Sequence, residues 1–332
     1  MDTVQPTKVS WLWEPYVPVG KLALLDGDPG IGKSWVALSL AASVSRGRSF
    51  ADDRRHGSRP RSVLYVAAED DPADTLRPRL ESVDADLSRV FVMSADAVWH
   101  GEGGLGFIRR VDQHLGRTRA QLLVIDPLHA VLGSVGSTQQ GSVRQFLLCL
   151  GDVASRRSCA VLCIRHRGKS RRQGAIHSGL GSVDFVAAAR SVLLACRHPA
   201  DPTRVVIAQA KSSLGPQDAS HVFAIFQPGV DWCGRLEVSA DDLVSGVTSL
   251  PRSGAAEFLR AQLENGEQAS TDVFRAGRDA GFSERTLRRA KGTLRIEAVR
   301  RAQRDAPRGS GQWVWRLIDQ DGHTWENAVW PS

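Results

Sequence analysis

The sequence contains no apolar run near the roughly 18 residues that a bilayer-spanning helix needs, so no transmembrane segment is expected. Its first residues, MDTVQPTKVSWLWEP, lack a basic region followed by an apolar stretch and a small-residue cleavage site. That absence argues against a secretory signal and points to the cytoplasm. Five cysteines (149, 159, 163, 196, 233) include no CxxC pair and have no partner cluster of histidines, so reduced structural thiols are expected rather than a zinc site. There is no internal repeat and no long low-complexity tract.

What is present suits a globular protein: 332 residues, 42% hydrophobic and 24% charged, enough for one large domain and a small one. The formal charge is +7, but its distribution says more than its total. Between Arg285 and Arg308, nine Lys or Arg residues accompany only Glu297 and Asp305. A basic patch this concentrated predicts a polyanionic partner such as nucleic acid, bound through its phosphates. A second cationic run lies in VLCIRHRGKSRRQG, residues 161–174. There an apolar strand opens, at His166, onto Arg165, Arg167, Lys169, Arg171 and Arg172.

Strand-like runs alternate with helix-like segments from the N-terminus: KLALLDG, WVALSLAASVSRG, SVLYVAAED, DTLRPRLESV, QLLVIDP, RQFLLCLGDVASRR and CAVLCIRH. This βαβ rhythm predicts an α/β fold, a mostly parallel sheet with helices on both faces. After about residue 185, RSVLLACRH, RVVIAQAKSS and HVFAIFQ are expected to extend the sheet as antiparallel edge strands. VSGVTSLPRSG, 244–254, is rich in Gly, Ser and Pro and makes the best linker. The expected organisation is a nucleotide-binding domain over 1–245, a linker over 246–253, a small domain over 254–320 and a tail over 321–332.

GDPGIGKS (Gly27, Asp28, Pro29, Gly30, Ile31, Gly32, Lys33, Ser34) matches GxxxxGK[ST] and lies between the strand KLALLD and a helix beginning near Trp35. In such a loop the backbone N–H groups curl around a triphosphate, the lysine reaches the β and γ phosphates, and the serine ligates magnesium. ATP and Mg2+ are therefore the expected ligands, with Trp35 among the nucleotide contacts. AQLLVIDP ends a strand with Asp126, the position of a carboxylate that orients magnesium. VLYVAAEDDP brings Glu69, Asp70 and Asp71 to the end of another. Glu69, first past the strand, is the expected general base; Asp71, before Pro72, is placed to cap the following helix.

Together WLWEPYVPVGKLALLDGDPGIGKS, AAEDDPADTLRPRL, LLVIDPLHAVLG, IRHRGKS, GSVDFVAAARSVLL and AQAKSSLGP span roughly residues 9–227. Over that length the chain resembles the RecA-like ATPases, and more narrowly the RepA-type hexameric helicases and AAA-family relatives of plasmids, phages and integrated elements. The resemblance implies that Glu69 is the catalytic glutamate, Asp126 the Walker B residue, His166 a sensor of the γ phosphate and Arg190 an arginine finger offered to a neighbouring subunit. It implies for Lys211 a second trans-acting role, and for the chain a ring, most simply a hexamer. The loop 165–178, with Lys169, Arg171 and Arg172, would line the channel and follow the backbone of single-stranded DNA. Arg167 and Gly168 replace an uncharged pair usual in relatives, and the loop has no aromatic for base stacking, so its binding would be electrostatic.

In the C-terminal part, SGAAEFLRAQLENG, STDVFRAGRDAG and SERTLRRAKGTL carry apolar residues at helical spacing, with Ser270 and Ser283 placed as N-caps and Gly281 at a tight turn. AVRRAQRDAPRGSGQWVWRL then reads as two short strands. Three helices and a hairpin predict a winged helix-turn-helix whose third helix offers Arg285, Arg288, Arg289 and Lys291 to duplex DNA. Trp313 and Trp315, alternating on the last strand, are expected in the core. The expected function is ATP-driven DNA handling, most simply by a ring-forming replicative helicase of a mobile element. The alternatives are an ATP-switched DNA-binding or loader protein that does not unwind, and a regulatory or defence NTPase whose winged helix binds a protein.

Overall fold

The computed structural model describes residues 5–51, 59–94, 103–132, 140–166, 183–226, 229–245, 252–302 except 281, 283 and 295, and 311–318. The chain divides into two compact units, Met1–Val244 and Ser245–Ser332. In the first, a short hairpin of β1 (Trp11–Trp13) and β2 (Val17–Pro18) precedes β3 (Leu22–Gly27) and α1 (Lys33–Arg46). There follow β4 (Val63–Ala67), a wide helical turn (Pro72–Leu76) continuing into α2 (Arg77–Ser82), β5 (Val90–Ser94), α3 (Gly103–Thr118) and β6 (Leu122–Asp126). Then come α4 (Leu128–Leu132), α5 (Gln140–Arg157), β7 (Ala160–His166), α6 (Val183–Ala188) and β8 (Ser191–Arg197). The unit closes with β9 (Arg204–Ser212), β10 (Ser220–Phe226), β11 (Gly229–Leu236) and α7 (Ala240–Ser245).

These strands form one nine-stranded sheet in the order β11-β10-β9-β8-β3-β7-β6-β4-β5. Strands β8 through β5 in that order are parallel, and β9, β10 and β11 add antiparallel strands at one edge. This is the mostly parallel α/β arrangement expected from the βαβ rhythm, and it agrees with the RecA-like fold that the resemblance implies. One detail differs: RSVLLACRH, expected to be antiparallel, forms β8 and runs parallel to β3. The crossover that returns through α6 sets its direction, and the short turn PADPT then reverses the chain into β9. The added strand β11 closes a hairpin with β10.

Alternation along the strands separates two apolar layers. Leu22 and Leu24 of β3, Leu123 and Ile125 of β6, and Val161 and Cys163 of β7 face α3, α5 and α6. Ala23 and Leu25, Leu122 and Val124, and Leu162 and Ile164 face α1, α2 and the N-terminal hairpin. Strands buried on both faces are why these segments read as continuous apolar runs. Among the cysteines, Cys159, Cys163 and Cys196 are buried, and burial pushes the Cys159 and Cys163 thiols up to about 12. Cys233 is exposed on β11, because that edge strand covers the sheet with only one of its faces.

One pair interrupts the apolar sheet. Asp26 of β3 and Arg165 of β7 are register partners, and both side chains are buried. The guanidinium donates to both carboxylate oxygens, Nε to Oδ1 at 2.9 Å and one Nη to Oδ2 at 2.6 Å. Its other face lies over the Phe185 ring of α6, 4.8 Å from the centroid. Arg165, counted above with the cationic loop, therefore belongs to the sheet: its position in the parallel register sets it against a buried carboxylate and away from any polyanion. Lys169, Arg171 and Arg172 lie outside the described residues.

The second unit comprises α8 (Arg252–Leu263), β12 (Gln268–Ala269), α9 (Ser270–Asp279), α10 (Glu284–Thr293), β13 (Ile296–Ala302) and β14 (Gly311–Leu317). The three strands pair antiparallel in the order β12-β14-β13. Leu259, Val273, Phe282, Leu287 and Trp315 share its core. Ser270 is the first helical residue of α9, not its cap: β12 extends through Ala269, which takes the cap position without a side-chain acceptor. Ser283 and Gly281 lie outside the described residues. Trp315 is core as expected, whereas Trp313 is 52% exposed, because it lies toward the Ala302–Gly311 end of the hairpin, past the residues of β14 that pair with β12.

Breaking a buried ion pair leaves an uncompensated charge, which costs about 3–5 kcal/mol, whereas replacing both partners with apolar residues is close to neutral. Arg165→Ala and Asp26→Ala are therefore expected to lower the urea midpoint strongly. The double variant Asp26→Leu/Arg165→Met is expected to recover most of that loss. Equal midpoints for wild type and Arg165→Ala would show that the pair contributes nothing.

Candidate active site

The parallel register brings the ends of four strands to the same end of the sheet, with β4 and β6 finishing two residues short of β3 and β7. Gly27 of β3 pairs with His166 of β7, and Ala67 of β4 with Asp126 of β6. Crevices at the carboxyl ends of parallel strands are where open α/β sheets bind ligands. Here a cavity of about 350 Å³ is lined by Gly30, Gly32, Lys33, Ser34, Trp35, Glu69, Asp126 and His166, all anticipated from sequence. It is also lined by Asp70, Arg79, Pro127, Ile164 and Ile225.

The loop from Gly27 to Gly32 needs its glycines. A Cβ on Gly27 would lie 2.9 Å from the Ala195 carbonyl oxygen and 3.0 Å from Ile31 Cγ2. Gly32 caps α1 with φ +100°, a left-handed conformation that side chains resist, and a Cβ there would meet Ile225 Cδ1 at 2.3 Å. Asp28 and Pro29 are exposed at the turn. The Ile31 side chain is buried in the core, so of the expected nucleotide contacts it offers backbone only.

Lys33 begins α1 with its side chain buried. Its Nζ donates to the carbonyls of Gly27 (3.0 Å) and Asp28 (2.8 Å) and lies 3.3 Å from His166 Nδ1. Burial holds its pKa below the usual lysine range, opposed by the charges of Asp126, Asp28, Asp26 and Glu69. His166 is lowered too, first by burial and then by Lys33 and His129, which favours neutral imidazole. Asp126 accepts a hydrogen bond from Tyr65 Oη at 2.8 Å and another from Ser34. Burial nevertheless raises its pKa, because the carboxylate is cut off from water. The Tyr65 hydroxyl is raised well above its ordinary value by the same burial and by Asp126.

Glu69 is more than half exposed, and its Oε1 lies 3.3 Å from His129 Nε2. Asp71 caps the next turn by accepting from the N–H groups of Ala73 and Asp74, as expected. Asp70 pairs instead with Arg79 at 2.9 Å, and the Arg79 guanidinium sits 5.8 Å from the Trp35 ring centroid. Arg79, Tyr65, His129 and Ile225 were missed from sequence: the first three lie inside quoted motif segments of which only the carboxylates were read as functional, and Ile225 lies on β10, which carries no motif. Tyr65 carried a faint signal as a polar-tipped residue in the strand that ends near Glu69.

Arg190 is exposed, and neither it nor Lys211 lines this cavity. Lys211 Nζ donates to the carbonyls of Val186 (2.6 Å) and Ala189 (2.9 Å) at the end of α6, and burial lowers its pKa with help from Arg190. In the second unit, Arg288 lies over Phe274 at 4.8 Å and 3.9 Å from Glu284, and Lys291 lies over Trp315 at 5.1 Å. Burial, with Arg288 beside it, holds the Lys291 pKa down. The side chains of Arg285 and Arg289 lie outside the described residues.

Residues 1–172 match the AAA domain family AAA_25. The chain belongs to that family. The DNA repair protein RadA of Halalkalibacterium halodurans is 23% identical over 248 residues, 74% of this chain and 48% of that protein. The chain thus spans about half the length of that relative. A KaiC-like protein of the hyperthermophilic archaeon Pyrococcus horikoshii OT3 is 17% identical, with a TM-score of 0.48 over 68% of this chain and 99% of that one.

Family membership implies nucleotide binding with Mg2+, and the donor set fits both. Among the described residues, the Lys33 ammonium contacts no carboxylate directly, so it is free to meet an anion at the N-terminus of α1. Ser34 and Asp126 supply the hydroxyl and carboxylate that a hard dication takes.

Asp126→Asn tests the electrostatics. A raised folded-state pKa means that the carboxylate form weakens the fold at neutral pH, and that this penalty fades as pH falls through the folded pKa. Without magnesium, the Asn variant is expected to unfold at a higher urea concentration than wild type at pH 7, with the gap closing as pH falls into the carboxylate range. It is also expected to lose ATP turnover. A variant no more stable than wild type at pH 7 would contradict the assigned burial penalty.

Proposed function

We propose that the chain hydrolyses ATP and couples that turnover to DNA, most simply as a ring-forming helicase of a mobile element. The observation that carries the chemistry is the convergence of Lys33, Ser34, Glu69, Asp126 and His166 on one cavity at the carboxyl ends of neighbouring parallel strands. Lys33 exchanges its two carbonyl acceptors for the β and γ phosphates, and the loop's N–H groups bind the same anion. Ser34 and Asp126 would hold Mg2+, which when bound would supply positive charge against the phosphates. Glu69 takes a proton from the attacking water, whose oxygen bonds to the γ phosphorus as the bond to the β–γ bridging oxygen breaks. His166, beside Lys33 at the strand end, is placed to respond to the γ phosphate. Arg190, exposed and away from its own cavity, is available to a neighbour's, in keeping with a hexameric ring.

Three features favour DNA as the partner. The relative RadA is named as a DNA repair protein. The segment leaving β7 after His166 carries Arg167, Lys169, Arg171 and Arg172. The order α8, β12, α9, α10, β13, β14, with its three-stranded sheet, suits a winged helix-turn-helix, and α10 carries Arg285, Arg288, Arg289 and Lys291. Of these, the Arg288 guanidinium and the Lys291 ammonium themselves lie over the unit's own aromatics, so duplex contact would have to share them with Phe274 and Trp315.

Turnover by wild type is expected to rise with single-stranded DNA, and Lys33→Ala to abolish it. Replacing Lys169, Arg171 and Arg172 with alanine is expected to remove the stimulation. Each lost phosphate contact flattens the slope of log affinity against log salt by about 0.7, so about 2 in total. Normal stimulation with an unchanged slope in the triple variant would contradict a DNA-contacting loop. Turnover indifferent to all DNA would favour a regulatory NTPase, and stimulation without separation of a forked substrate would favour a loader.

A further inference from the structure

His129 lies in the first turn of α4, three residues past Asp126, and no sequence motif gave it a role. Its Nε2 lies 3.3 Å from Glu69 Oε1, and its ring centroid lies 5.2 Å from that of His166, tilted by 52°. His166 Nδ1 in turn lies 3.3 Å from Lys33 Nζ. Four groups from four separate segments thus form a row from the phosphate-binding ammonium to the carboxylate that takes the proton. Glu69 stands at a strand end with 56% of its side chain in water. Left alone, such a carboxylate samples several rotamers, and only some would direct an oxygen at an attacking water. General bases are commonly held by a third group for this reason.

We propose that His129 is a positioning residue for Glu69: its Nε2–H holds one carboxylate oxygen and leaves the other for the attacking water, and its contact with His166 ties that orientation to the sensor. For Nε2 to face an anionic oxygen it must carry a hydrogen, which neutral imidazole provides as the Nε2–H tautomer. The inference rests on the reading of Glu69 as general base. It adds a route by which the state of the phosphate site, felt at His166, reaches the base without any backbone shift.

The test is steady-state ATP turnover by the full chain carrying His129→Ala, His129→Gln or His129→Asn, each also combined with Glu69→Gln. His129→Ala is expected to lower kcat about tenfold, a fraction of what a general base contributes, with KM changed by less than about twofold because the phosphate cradle is untouched. His129→Gln, whose amide N–H reaches about as far as Nε2, is expected to recover most of the rate. The shorter Asn is expected to behave like Ala. In the Glu69→Gln background, none of the three should lower turnover further. Wild-type kcat in His129→Ala would overturn the inference, as would equal losses in the Gln and Asn variants or an undiminished effect in the Glu69→Gln background. Should His129→Ala fail to fold, the Gln and Asn pair carries the same contrast. Wild-type turnover by Glu69→Gln alone would instead remove the base assignment, and the inference with it.

Discussion

The buried pair of Asp26 and Arg165 constrains everything around it. Two charges inside a parallel sheet are tolerated only when each satisfies the other, here through a bidentate contact at 2.9 and 2.6 Å. A slip of β7 against β3 by one residue would turn Arg165 to the opposite face and leave Asp26 unpaired. The pair therefore fixes the register, and the register fixes the site. The phosphate-binding loop leaves β3 immediately after Asp26, and His166 follows immediately after Arg165, which is why Lys33 and His166 meet at 3.3 Å. The guanidinium also lies over Phe185 on α6, so the residue entering the cationic segment and the helix that follows it are held to one point of the sheet. Lys211 secures the far end of α6 through two carbonyls.

Much of this was legible in the sequence where backbone chemistry dictates residue type. A loop that must wrap an anion needs glycines at left-handed positions, and Gly32 has that conformation. A strand that ends on a ligand needs a short polar residue there, and Asp126 and His166 occupy those ends. Other features depend on contacts distant in sequence and leave no local trace. Arg165 adjoins a run of cations and reads as one of them; only the pairing of β7 with β3 shows that it is buried. Arg79, His129 and Ile225 come from α2, α4 and the antiparallel strand β10. The direction of β8 was misread because its short connection to β9 suggested a meander, whereas its partner is the distant β3. Ser270 missed the cap position by one residue because β12 persists to Ala269.

The family match covers 1–172, which includes Lys33, Glu69, Asp126 and His166. Beyond it lie the features that would give the ATPase its own output: β8 to β11, Arg190, Lys211 and the second unit. Ile225 of β10 joins the two regions, since it lines the cavity and lies against Gly32. The edge hairpin is thus part of the nucleotide site and not only an extension of the sheet.

On the function proposed above, the cavity would work within an assembly whose neighbour supplies Arg190, and nucleotide and single-stranded DNA together would favour that assembly. The most direct measurement is the particle mass of the full chain in solution, with and without a non-hydrolysable ATP analogue and single-stranded DNA. A defined oligomer that forms with both ligands, and is lost in Lys33→Ala, is the result expected. A particle that stays monomeric under every condition would contradict the claim, because Arg190 would then have no site to complete.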